Sequence, residues 1–304
     1  MSANVPSPTS GSSASPDGSR PPSPRVIGRR TRRSRGPLFP AYSTAGDKLA
    51  WWAVRIVCVL VLLFLLAPIL VIIPLSFSDS SFLVYPITGW STKWYHQLFE
   101  SAEWARATKN SFIVAPSATV LATVLGTLAA VGLTRTDFPF KGLLMSVLIA
   151  PMVVPIVVVG VATYLFFAPI GLADSYTGLI IVHAALGAPF VLTTVMATLA
   201  GFNQNLVRAS LSCGETPLNS FFRITLPVIA PGVISGALFA FATSFDEVVV
   251  TLFLAGAKQV TLPRQMFNGI RENISPTIAA VATLLIIFTT SLLLVLEWLR
   301  GRRR

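Results

Sequence analysis

Residues 51–76 read WWAVRIVCVLVLLFLLAPILVIIPLS, and Arg55 is the single charge among them. About 20 predominantly apolar residues are enough to cross the hydrocarbon core of a bilayer as a helix. Lipid offers the backbone no hydrogen-bonding partner, and a helix satisfies its own peptide groups within one segment. Five further runs of this kind follow, at about 110–133, 142–168, 178–199, 231–255 and 277–298. This repetition limits the fold more than any motif does. The expected class is an all-α integral membrane protein with six transmembrane helices. Composition agrees: 53% of the residues are hydrophobic and 12% charged, where a soluble domain carries about a quarter charged residues.

Several chemistries are excluded early. Cys58 and Cys213 form no CxxC pair, and His96 and His183 stand far apart with no HExxH, so no metal site and no catalytic constellation is expected. There is no GxxxxGK[ST] loop, so the chain has no means of its own to cradle ATP phosphates, and no cofactor is expected on it. A net charge of +11 would suggest nucleic acid in a soluble protein. Here much of the positive charge lies at 25–35 and 300–304, beside the spans, where it orients the chain and attracts anionic lipid. No nucleic-acid partner is implied.

Residues 1–45, rich in Ser, Pro, Gly and Arg, bury too little apolar surface to offset chain entropy and are expected to form a disordered basic tail. That tail lacks the short apolar core of a signal peptide, so the run at 51–76 reads as an uncleaved span. The six-span domain is then 46–299, with a basic tail at 300–304. Six spans place both termini on one side. Of the 23 Lys and Arg, 17 fall on that side and 6 on the other, which makes both termini cytoplasmic. The 77–109 loop is then external, and STKWYHQLFES within it has the Trp and Tyr of a short helix at the membrane surface.

The long cytoplasmic loop is 200–230, GFNQNLVRASLSCGETPLNSFFRITLP plus its flanks. Asn203 can cap a helix over 204–213. Gly214 permits a left-handed exit, and Thr216 followed by Pro217 starts a second helix, which Pro227 is expected to break before the fifth span. The product is a helix–turn–helix elbow between the fourth and fifth spans, exposing Leu206, Leu211, Phe221 and Phe222.

This elbow resembles the cytoplasmic EAA signature of permease subunits of bacterial ABC importers: Glu-Ala-Ala, three residues, Gly, nine residues, Ile, one residue, Leu-Pro. Arg208, Ala209, Ser210, Gly214, Ile224, Leu226 and Pro227 hold those places with the spacing intact. Arg208 replaces the glutamate and Ser210 the second alanine. The resemblance implies that the elbow is a coupling helix seated on an ABC ATPase dimer, where ATP and magnesium are bound. It also implies a homologous second permease subunit, an extracytoplasmic substrate-binding protein and a bacterial inner-membrane location. The stretch APGVISGALFAFATSFDEVVVTLFLAG, with TLPRQMFNGIRENISPTIAAVATLLI after it, is similar to the second permease of spermidine/putrescine importers. That similarity implies a polyamine cargo. Another small solute such as an amino-phosphonate is the first alternative, and an ion-coupled secondary transporter or a membrane scaffold is the second.

Asp246 and Glu247 stand in the fifth apolar run. An ionisable group inside a span marks a functional site by default. On a continuous helix Glu247 shares a face with Gly236, Ala240, Thr243 and Thr251, which are small or polar, whereas Asp246 shares its face with Phe239 and Phe253. Asp246, Glu247, Thr243 and Thr251 are therefore the candidate substrate pathway. The competing reading pairs the acids with Lys109, Lys258 or Arg271.

Overall fold

The computed structural model describes residues 44–135, 139–272 and 275–301, and the expected disordered tail lies almost wholly outside them. The chain divides into two units, Met1–Leu62 and Leu63–Arg304. In the first, helix α1 begins; it runs Ala45–Leu75 and continues into the second unit. Within the first unit, Arg55 lies 3.5 Å over the Trp51 ring, and Trp51 meets Trp52 edge to face.

The second unit is helical. In chain order come α2 (Lys93–Glu100), α3 (Ala102–Arg135), α4 (Lys141–Val153), α5 (Ile156–Phe167), α6 (Tyr176–Ala200), α7 (Asn205–Ser212) and α8 (Pro217–Ser220). A π-helical turn, Phe221–Thr225, leads into α9 (Leu226–Phe245), and α10 (Val249–Leu254), α11 (Leu262–Glu272) and α12 (Pro276–Gly301) complete the chain. Among the described residues the β pairing amounts to one isolated bridge, Ser78 with Trp90.

Helices α3, α6 and α9 pack on one another around Ala118, Ala122, Val191, Val195, Ile229 and Ala240. Lipid supplies no hydrophobic drive between helices, so small residues must let the backbones approach. Gly187 and Gly236 do this. A Cβ at Gly187 would stand 2.9 Å from the Ala240 Cβ, and one at Gly236 would stand 2.7 Å from the Val191 Cα. Leu179, Leu186, Val250 and Leu254 form a second core joining α6 and α10, and α5 packs on α10 as well. A third core gathers Leu98, Ala107, Leu262 and Val281.

Four helices are long and apolar enough to cross a membrane: Lys48–Leu75, Ala102–Thr134, Tyr176–Ala200 and Pro217–Phe245. The expected third span is the pair α4–α5, bent by 105°. Pro155 causes the break. It has no N–H to offer the Pro151 carbonyl, and it drives Val154 to φ −70°, ψ 134°, outside the helical region. The apolar part of α12, Pro276–Leu292, is shorter than a full span, so the structure supports four or five of the six expected crossings. Proline alone does not decide a break: α6 passes Pro189 without interruption.

Two expectations for the fifth run change. Pro227 does not end the elbow helix. The π turn before it shifts the hydrogen-bond register, with the Leu226 N–H reaching the Phe221 carbonyl, so the donor that proline lacks falls where the ladder is already re-phased. Nor does one helix cover 231–255. The chain leaves α9 after Phe245 and re-enters a helix only at Val249. The cause lies in the acids. The Glu247 carboxylate takes the Val250 N–H at 2.8 Å, a donor that a continuous helix would have given to Asp246.

Candidate functional site

The elbow is assembled by local rules. The Asn203 Oδ1 accepts from the Asn205 N–H at 3.0 Å in a turn just ahead of α7, whose N-cap is Gln204 with no side-chain cap, so Asn203 is not the cap expected of it. At the far end, Gly214 has φ +87°, and a Cβ there would touch nothing, so glycine is demanded by the backbone rather than by space. The Thr216 hydroxyl accepts from the Asn219 N–H at 3.3 Å, and Pro217 takes the first turn of α8. Arg223 and Glu215 form an exposed ion pair at 2.8 Å that ties the two sides of the bend.

Of the seven signature positions, Arg208, Ala209, Gly214 and Pro227 are exposed and Ser210 is buried. Ile224 and Leu226 are partly buried against the α3–α6–α9 core. The elbow therefore presents one face outward and locks the other to the bundle. Leu206, Leu211 and Phe222 are exposed as expected, Phe221 is half-buried, and Leu218 joins the apolar surface at 66% exposure.

The helical stretch Pro217–Phe245 carries the chain from this elbow to the two acids. Asp246 closes α9 as its C-cap and is exposed. Glu247 is half-buried and caps α10 through Val250. Among the described residues no ion pair joins either acid to Lys109, Lys258 or Arg271. Glu247 and Thr243 open together on a cavity of about 420 Å3, walled by Met152 and Pro155 at the α4–α5 break and by Leu186 and Phe190 of α6. Thr251 does not reach this cavity. It is fully buried, because the break after Phe245 turns α10 away from the face that a continuous helix would have kept.

Thr251 belongs instead to a bracket that the sequence did not reveal. The His183 ring, buried in α6, lies 2.9 Å from the Ser244 hydroxyl by Nδ1 and 3.3 Å from the Thr251 hydroxyl by Nε2. Ser244 precedes the break and Thr251 follows it, so one imidazole spans both ends. Its partners were hidden from the sequence because they come from two other helices, α9 and α10.

A second network ties α3 to the segment between α10 and α11. The buried Asn110 amide donates to the carbonyls of Lys258 at 2.9 Å and Val260 at 2.8 Å, and its oxygen accepts from the Tyr176 hydroxyl at 2.8 Å. The Ser111 hydroxyl accepts from the Leu262 N–H at 2.8 Å. Arg264 donates to the carbonyls of Thr251, at 3.1 Å, and Ala255, closing the C-terminal end of α10. Burial pushes the Arg264 guanidinium below its ordinary pKa, against the raising effect of Asp174. An asparagine and a serine at the mouth of a long apolar helix were the only signals of this network in the sequence. Among the described residues no His, Cys, Asp or Glu cluster could hold a metal.

Comparison with known proteins gives a consistent result. The family model described as binding-protein-dependent transport system inner membrane component matches residues 122–304. The chain is 35% identical over 231 residues to the putrescine transport system permease protein PotI of Escherichia coli K12, covering 73% of this chain and 82% of that protein. It is 29% identical to the spermidine/putrescine transport system permease protein PotC of Haemophilus influenzae, covering 75% and 89%. In fold it is similar to a chain of a bacterial ABC transporter involved in import of the acidic polysaccharide alginate, with a TM-score of 0.67 at 13% identity, covering 86% of this chain and 99% of that one.

Proposed function

The chain belongs to the family of binding-protein-dependent transport system inner membrane components, and from that premise we propose that it is the permease subunit that carries polyamines, putrescine or spermidine, inward through an ATP-driven importer. It is a multi-pass membrane protein of the inner membrane, and it works with other subunits of an ABC transporter. In our reading both termini are cytoplasmic, an extracytoplasmic binding protein delivers the solute, and a homologous permease completes the pathway. Two ATPase subunits, which hold ATP and magnesium, grip the elbow. The exposed Arg208 and Ala209 face the ATPase, and the buried Ser210 supports them from behind while Gly214, Ile224, Leu226 and Pro227 fix the elbow's angle.

One observation carries this reading. The second half of the elbow, from Pro217 on, is continuous through the π turn with α9, which is closed by Asp246 beside Glu247. Displacement of the elbow therefore reaches the carboxylates along a single helix. This chain performs no covalent chemistry; it favours outward- or inward-open states according to what the ATPases and the cargo bind. Glu247 and Thr243 line the pathway, with Asp246 at its margin. An anionic cargo would meet the Glu247 charge in a low-dielectric wall, whereas a polyamine cation would be attracted to it.

The experiment is purification from membranes with the attached subunits, followed by putrescine uptake in proteoliposomes. The expected result is a complex containing a Walker-motif ATPase, hydrolysis stimulated by the loaded binding protein, and uptake that needs ATP. A chain purified free of any ATPase, with uptake driven by an ion gradient, would falsify the reading.

A further inference from the structure

Two cavities meet at the end of the bundle away from the elbow. Tyr176, at the start of α6, bonds Asn110 in the early turns of α3, whereas the far end of α6 leads into the elbow. Around those early turns a polar cleft of about 600 Å3 lies among α2, α3, α11 and α12, with Gln97, Arg106, Arg264, Asn268 and Thr277 in its wall. Beside it is an apolar groove of about 310 Å3, walled by Leu98, Phe112, Phe245, Val281, Leu285 and Phe288. Trp104 lines both. Neither cavity touches Glu247, Thr243 or the α4–α5 break.

Two helices present these cavities in the same order. On α3 the cleft takes Glu103, Arg106 and Ala107, and the groove reaches on to Thr108 and Phe112. On α12 the cleft takes Thr277 and Ile278, and the groove takes Val281, Leu285 and Phe288. From Ala102 to Phe112 the α3 axis advances about 15 Å. Polar wall first and apolar wall deeper is the order of a bilayer leaflet, and a tryptophan suits the boundary between them. The rings of Phe112, Phe245 and Phe288 meet one another at 5.5 to 5.7 Å, so the deep wall is aromatic. The cleft also holds donors that the chain leaves unused. Arg106 is exposed and, among the described residues, has neither an ion pair nor a hydrogen bond. Arg264 spends Nη1 on the Thr251 and Ala255 carbonyls, and its buried Nε has no partner. Glu103 is the one carboxylate in the wall, against two guanidinium groups.

We propose that the cleft and the groove together bind one anionic phospholipid, with its phosphate on Arg106 and Arg264 and an acyl chain along Trp104, Phe112, Val281 and Phe288. A phosphate offers several acceptor oxygens and no donor, which is what two guanidinium groups with spare N–H groups match. A polyamine brings donors and positive charge only, so this cleft is not a second cargo site. A soluble anion fills the cleft and leaves the groove empty, whereas a phospholipid supplies the charge and the hydrocarbon in the order in which the two walls stand. A zwitterionic lipid carries the same phosphate, but its own ammonium group sets a positive charge against the two guanidinium groups. The site stands apart from the importer reading, and its test measures lipid rather than uptake.

The test uses the protein as purified from membranes in mild detergent, with the subunits that accompany it. It is titrated with phosphatidylglycerol or with phosphatidylcholine of identical acyl chains, and native mass spectrometry counts the lipid retained. Phosphatidylglycerol is expected to be retained at about tenfold lower concentration, as a charge-assisted hydrogen bond to phosphate provides. Arg106→Gln removes an exposed side chain with no partner to lose, and is expected to erase most of that preference with yield unchanged. Ala105→Phe fills the groove from an exposed position and is expected to weaken retention of both lipids. Glycerol phosphate, which has the headgroup chemistry without the chains, is expected not to displace the lipid. Equal retention of the two lipids, or the parental preference in Arg106→Gln, overturns the proposal. Displacement by glycerol phosphate overturns it in favour of a soluble anion. A parent complex that retains no lipid overturns it as well, and is the outcome expected if another subunit covers the groove.

Discussion

Two helices in this protein stop in mid-span, and they stop differently. At Asp246–Val248 the freed groups are collected: Glu247 caps Val250, His183 bridges Ser244 to Thr251, and Arg264 closes the far end of α10. At Pro155 the chain turns by 105° with no comparable side-chain cap among the described residues, and residues 151–156 line a cavity. The first break is a fixed mount for a carboxylate. The second is a sharp bend whose residues 151–156 wall a cavity.

The comparison can be broken at its stapled side first. His183→Leu leaves the buried Ser244 hydroxyl without its partner, while Thr251 keeps the Glu247 carbonyl, and is expected to destabilise the protein by about 1–3 kcal/mol. Thermal unfolding of the detergent-solubilised complex would register it. A melting temperature within a degree of the parent would mean that the bracket does not hold the break. The open side comes next. Pro155→Ala is expected to leave thermal stability equal or higher, because it adds a backbone hydrogen bond, while putrescine uptake falls about tenfold. A joint loss of stability and uptake would make the two breaks alike.

The elbow offers a third bend, in water, against which both are scaled. Gly214→Val forces a β-branched residue to φ +87° and is expected to cost about 1 kcal/mol, with a larger loss in coupling of hydrolysis to uptake. The measured quantity is the number of ATP molecules hydrolysed per putrescine imported, and an unchanged ratio would separate the bend from coupling. Arg223→Ala removes an exposed ion pair and is expected to change stability by less than about 0.5 kcal/mol. A shift of several degrees in the same melting assay would show that this pair, rather than Gly214, sets the elbow angle.

Local chemistry made much of the elbow legible in the sequence. The left-handed Gly214 and the Thr216–Pro217 start depend on residues within a few positions and appear where the spacing places them, whereas the expected Asn203 cap falls one residue ahead of the α7 N-cap, Gln204. The long apolar helices were equally plain, since the bilayer dictates their length. The fifth run misled because hydropathy does not register a break: Val248, Val249 and Val250 look alike inside a helix or beside one. What interrupts the run is a side-chain acceptor competing for a backbone donor. The face assigned to Thr251 failed for the same reason, since a 3.6-residue period holds only while the helix continues. Pro227 was misjudged in the opposite sense, because the π turn that accommodates it has no marker in composition. The cavity wall at 151–156 required the third apolar run to fold back at Pro155, and two prolines alone left the size of that bend open.

The π turn at Phe221–Thr225 has a consequence for how this chain can vary. A single residue added to or removed from an α-helix swings everything beyond it by about 100°. A lineage that gained or lost a residue between elbow and carboxylate would ordinarily misalign one of them. A wide turn absorbs such a change, since five residues already occupy a space that a tighter turn fills with fewer. The elbow and the membrane half can then drift in length while each keeps its own packed face, much as a slip joint lets two lengths of pipe expand independently.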